Sequence, residues 1–94
     1  PSGHSMAGWS WGLVLAEIQP AKASALMVAG REIGQSRIVC GVHFASDVAA
    51  GRALASAMVA RLHADPQFMA DLEAAKAELA SAPATTPKSC AAYR

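Results

Sequence analysis

Proline and glycine punctuate this chain in a way that leaves room for little besides helices. Pro20, Gly41 and the pair Asp65-Pro66 separate segments whose apolar residues recur at three- and four-residue spacing, and no segment alternates as a half-buried strand does. The spacing predicts a first helix over 5–18 with Trp9, Leu13 and either Leu15 or Ile18 inward. A second, over 21–39, turns Leu26, Met27, Ile33 and Ile38 to the core, with Gly30 and Gly34 permitting close approach of a neighbour. Gly41 closes it and places Arg37 in its last turn. A third runs over about 44–63 with Val48, Ala55, Val59 and Leu62 on one stripe, and His43 stands at its start. Aspartate as cap and proline at the first position then open a fourth helix to about residue 80, with Phe68, Leu72, Ala75 and Leu79 buried. Residues 81–94 turn to Ala, Pro, Thr, Lys and Ser and read as a flexible tail. The expected fold is all-α, a helical bundle over 1–80.

Composition sharpens this picture. Hydrophobic residues make up 53% of the chain, but alanine alone supplies about a quarter of all residues, so the large side chains available for a core are few. A formal net charge of +1 without any basic run gives no support to a nucleic-acid partner. No apolar stretch approaches the roughly 18 residues that span a bilayer, so a membrane-embedded protein is not expected.

Two clusters carry chemistry. Ser36-Arg37, His43 and Asp47 form one. Asp47 lies four residues beyond His43, and its carboxylate can accept the proton of one imidazole nitrogen, leaving the other free to attack an electrophile. Arg37 offers a planar fork suited to phosphate oxygens. The other cluster is Pro1-Ser2-Gly3-His4. Glycine lets backbone approach an anion closely, Ser2 adds a hydroxyl donor, and a helix beginning there aims free amides at the same place. His4 then stands as an acid beside the bound anion.

Together the clusters resemble two signature motifs, Pro-Ser-Gly-His and Ser-Arg-x5-His-x3-Asp, of the superfamily that contains bacterial class A non-specific acid phosphatases, type 2 phosphatidic acid phosphatases and vanadium haloperoxidases. Every fixed position matches. The run from Ser46 to Arg52 and the segment Leu62-His63-Ala64-Asp65-Pro66 are similar to the class A acid phosphatases in particular. The resemblance implies hydrolysis of small phosphate monoesters at acidic pH through a phosphohistidine, with His43 as nucleophile, Asp47 as its orienting acid and His4 as proton donor. It assigns phosphate binding to Arg37, Ser2, Gly3 and Ser36, implies export to the periplasm, and calls for no cofactor. Nor does the sequence group carboxylates, cysteines and histidines as a metal site does. The family's lysine and arginine-proline motif, which adds two phosphate ligands, has no counterpart here. The expectation is therefore the C-terminal half of such a domain, partnered by its N-terminal half or by a second copy. Two alternatives accompany it: a vanadium-dependent haloperoxidase-like enzyme, and a non-catalytic fragment with residual anion binding.

The remaining residues have plainer readings. A Cys40–Cys90 bridge would close a loop of about 50 residues, worth roughly 4 kcal/mol; otherwise Cys40 is a small buried residue and Cys90 an exposed or partner-linked thiol. His63 reads as a helix-end histidine favoured by the dipole, Glu17 as part of a solvated face, and Met6, Met27, Met58 and Met69 as packing filler. One of Trp9 and Trp11 packs and the other faces outward.

Overall fold

A computed structural model describes residues 1–83 and consists of four α-helices joined by short connections. Helix α1 spans Gly3–Ile18, α2 Ala23–Val39, α3 Ala45–Leu62 and α4 Pro66–Ser81, with one 3₁₀ turn, Pro20–Lys22, leading into α2. The all-α expectation holds, and most boundaries fall within two residues of those the punctuation implies. Asp65 caps α4 as its sequence position requires, its Oδ1 accepting from the Phe68 amide at 3.0 Å. α4 ends at Ser81, and most of the proposed tail, including Cys90, lies outside the described residues.

The helices pack through small residues. Large side chains were expected to line α1 and α2, yet the positions α1 buries are Ser5, Gly8 and Gly12, and those of α2 are Gly30 and Gly34. Backbone meets backbone there: a Cβ at Gly8 would lie 2.8 Å from the Gly30 carbonyl oxygen and 2.6 Å from Cβ of Ile33. Helices this close leave no room between them for a leucine. Leu15 and Trp11 are exposed in consequence; on α4 Leu79, expected inward, is also exposed, and Met58, read as packing filler, is 41% exposed. Helix α3 follows its expected stripe more nearly, burying Val48, Gly51, Ala55 and Val59. Trp9 is the tryptophan that packs, donating from Nε1 to Ser56 Oγ of α3 at 2.9 Å.

The result is a slab of 43 × 41 × 20 Å with a radius of gyration of 15.3 Å. A compact domain of this length has a radius of roughly 12 Å, so the helices spread and one thin layer of side chains forms the core. The buried apolar residues number four among those described: Val48, Ala55, Val59 and Leu72.

At the edge of the slab, His63 ties three helices together. Its Nδ1 lies 2.7 Å from the Val59 carbonyl oxygen, its Nε2 2.6 Å from Glu17 Oε1 of α1, and its ring meets Phe68 of α4 edge-on. Glu17 thus has a partner, against the reading of a solvated face. Both oxygens accept when Glu17 is ionised, so the imidazolium is the form of the ring that donates to both. The Val59 carbonyl raises the His63 pKa, desolvation opposes it, and Glu17 adds to the rise. A pKa raised by folding gives stability that is complete below the unfolded value of 6.5 and lost as pH rises through the higher folded one. Urea midpoints measured from pH 5 to 9 are expected to fall with pH, and His63→Gln is expected to flatten that fall. Parallel curves for the two proteins would remove the ion pair from the account.

Candidate functional site

Arg37 sits in the last turn of α2. The Ser36 hydroxyl donates to the Ile33 carbonyl at 2.7 Å and accepts from Arg37 Nε at 3.3 Å. Ser36 therefore steadies the guanidinium on the helix end. Gly41 reverses the chain with φ +74, the left-handed conformation that closes many helices and that glycine adopts without strain. The reversal folds the following loop back, so that the amides of Val42 and His43 both approach the Arg37 carbonyl, at 3.1 and 3.3 Å. Arg37 thus holds its guanidinium at the helix end with Ser36 and anchors His43 through its backbone carbonyl.

His43 lies outside α3. Phe44 is the extended cap residue and the helix begins at Ala45, which corrects the expectation that His43 starts the helix. The pairing with Asp47 nevertheless forms, His43 Nδ1 standing 3.0 Å from Asp47 Oδ1 across the first turn. A carboxylate accepts, so Nδ1 carries the proton and Nε2 presents its lone pair. Asp47 occupies the positive end of the α3 dipole. Burial pushes its pKa up, but the hydrogen bond from His43, the Phe44 amide and, when the imidazole is protonated, its charge outweigh burial and hold it below the ordinary aspartate value. The side chains of the pair are 28% and 32% exposed, so solvent and a ligand reach both.

The first cluster opens α1. Ser2 is the cap, fully buried, with its Oγ accepting from the Ser5 amide at 3.2 Å. Capping satisfies the third amide of the helix, which leaves those of Gly3 and His4 directed outward along the helix start. His4 itself is exposed. The Ser2 amide donates to the Asp47 carbonyl at 3.0 Å, so the loop of the first cluster is stitched to the opening turn of α3. Helix packing has brought the two clusters side by side.

Cys40 is exposed, which corrects its reading as a small buried residue; its Sγ is 4.0 Å from Arg37 Nη2. The bridge to Cys90 falls outside the described residues. Around the site Val39, Val42 and Phe44 present apolar surface, 87%, 61% and 77% exposed. Among the described residues no cavity encloses these groups and no three metal-ligating side chains cluster. No described helix is long and apolar enough to cross a membrane. Sequence reasoning missed Ser5, whose buried hydroxyl donates to the Val48 carbonyl at 2.7 Å; a serine in the first turn of a helix gives no sign of a contact made so far along the chain.

The chain is similar over most of its length to known proteins. The chain is 49% identical over 80 residues to a non-specific acid phosphatase of Providencia stuartii, a match covering 85% of this chain and 32% of the relative. It is 49% identical over 82 residues to an acid phosphatase of Zymomonas mobilis, covering 87% and 31%. Against a non-specific acid phosphatase of Salmonella typhimurium it is 44% identical over 79 residues, covering 84% and 32%. The chain therefore spans about a third of the length of these curated relatives. Residues 1–69, which hold both clusters and the start of α4, match the PAP2 superfamily profile, and the chain belongs to that superfamily.

Proposed function

We propose that the protein hydrolyses small phosphate monoesters through a covalent phosphohistidine. The observation that supports this reading is the His43–Asp47 pair, with Nδ1 3.0 Å from Oδ1 and Nε2 left free, in a loop whose His43 amide is held by the Arg37 carbonyl. Nε2 of His43 attacks phosphorus as the ester P–O bond breaks, and Asp47 steadies the imidazolium that forms. His4 gives its proton to the departing alkoxide. A water then attacks phosphorus, the N–P bond breaks, His4 recovers a proton from that water, and inorganic phosphate leaves. Arg37 and the Gly3 and His4 amides hold the equatorial oxygens, while Ser2 acts by capping the helix that aims those amides. Arg37 and the amides supply the positive field, so the mechanism calls for no metal.

Residues 1–80 form the part of the catalytic domain that carries nucleophile and acid, and the rest of the relatives' length supplies further walls of the site. Periplasmic export accords with acid phosphatases of bacterial origin as relatives. Those names favour hydrolysis over halide oxidation. The test is hydrolysis of a chromogenic phosphate ester by the whole protein across pH 4 to 9. His4 must hold its proton while His43 stays neutral, so the rate is expected to be greatest on the acidic side and indifferent to chelators. A rate climbing steadily through pH 8, or oxidation of bromide with vanadate and no ester hydrolysis, would contradict it.

A further inference from the structure

We propose that Ser5 is a positioning residue for phosphoryl transfer, a latch that fixes the acid-bearing turn of α1 against the nucleophile-bearing start of α3. The inference rests on the phosphatase reading above and adds a residue to which neither signature motif assigns a role. Ser5 is 1% exposed, next to the exposed His4. Its Oγ donates to the Val48 carbonyl at 2.7 Å, one residue beyond Asp47, and its amide is the one Ser2 caps. With the Ser2 amide on the Asp47 carbonyl at 3.0 Å, two hydrogen bonds hold the α1 start to consecutive residues of α3. Two bonds at adjacent residues fix both separation and register, which one alone cannot do.

Packing locks the same place from both sides. A Cβ at Gly51 of α3 would stand 2.7 Å from the Ser2 carbonyl oxygen and 3.0 Å from Ser5 Cβ. On α2, a Cβ at Gly34 would stand 2.9 Å from Ser5 Oγ and 3.0 Å from Val48 Cγ1. Neither neighbour can carry a side chain while Ser5 keeps its bond. The hydroxyl thus occupies a slot made by three helices, one residue from the proton donor. Movement of this turn shifts His4 relative to His43 without touching either side chain. Misplacement of about 1 Å between reacting groups can lower rate ~100-fold.

A latch of this kind predicts a loss that depends on the leaving group. An alkyl phosphate needs its departing oxygen protonated, whereas 2,4-dinitrophenyl phosphate leaves unaided. In the whole protein, Ser5→Ala is expected to lower kcat/KM for an alkyl phosphate ~20-fold and kcat/KM for the dinitrophenyl ester less than ~3-fold, since kcat/KM reports transfer to His43 and not the later hydrolysis in which His4 acts again on a common intermediate. General damage to the fold would lower both rates alike, and that result overturns the latch. If Ser5→Ala lacks a native circular dichroism spectrum, the same pair of esters is read on Gly51→Ala, which forces the Ser2 carbonyl away and should give the same selective loss; equal losses there also overturn it. If the unsubstituted protein hydrolyses neither ester, the phosphatase reading itself fails, an outcome distinct from equal losses in an active enzyme.

Discussion

Replacing His43 with alanine is expected to reduce phosphate ester hydrolysis by the whole protein ~10⁴-fold or more, the scale seen when a covalent nucleophile is removed. The argument is geometric. The loop closed by Gly41 pins the His43 amide to the Arg37 carbonyl, and Asp47 holds Nδ1 at 3.0 Å, so Nε2 is the one nitrogen left to attack. Asp47→Asn keeps the shape but can donate to Nδ1, which selects the wrong tautomer; a loss of ~10²- to 10⁴-fold in kcat is expected, with KM little changed. Steady-state kinetics on both variants decide the matter. Should His43→Ala retain more than a tenth of the activity, His43 is not the nucleophile.

Gly30→Ala is expected to destabilise the α1–α2 pair although it adds a single methyl. Alanine gains about 1 kcal/mol over glycine in a helix interior. Here, however, the methyl would meet the Gly8 carbonyl oxygen at 2.6 Å and the Gly12 Cα at 3.3 Å. Both are backbone and cannot rotate aside, so α1 and α2 must part and give up their contact. Overpacking of this kind costs about 3 kcal/mol, and the net loss of about 2 kcal/mol lowers Tm by roughly 10 °C in a domain this small. The clash outweighs the propensity. Gly3→Ala, where an added Cβ meets nothing within 4 Å, serves as the control and should leave Tm almost unchanged. A Gly30→Ala protein as stable as the control would mean that α1 and α2 do not touch through their glycines.

The different legibility of these features has physical causes. Helix starts are local: Asp65 caps its own helix three residues on, and Pro66 fits the first position whatever packs nearby, so both could be read directly. Buried faces are not local. Leu13, Leu26 and Ile33 looked inward because large apolar groups usually are, but the contact between α1 and α2 is made by Gly8, Gly12 and Gly30, and a glycine's absent side chain leaves no periodic mark in hydropathy. The His43–Asp47 pair was legible from its four-residue spacing, although the helix starts at Ala45 and the spacing is realised across a cap instead of along a face. Glu17 with His63 and Ser5 with Val48 join residues remote in sequence, where spacing carries no information. Ser2 and Ser36 look like ligands by type, yet one caps α1 and the other steadies Arg37, because a hydroxyl next to a helix end finds backbone partners first.

The central claim is that phosphate passes through His43. It is tested most directly by quenching the whole protein during turnover of a phosphate ester at acidic pH, digesting it under conditions that preserve the acid-labile N–P bond, and locating the added phosphoryl group by tandem mass spectrometry. The account predicts phosphate on the peptide containing His43, on Nε2 rather than Nδ1, absent from His43→Ala. Phosphate on His4, on a serine, or on no residue while turnover proceeds would contradict it.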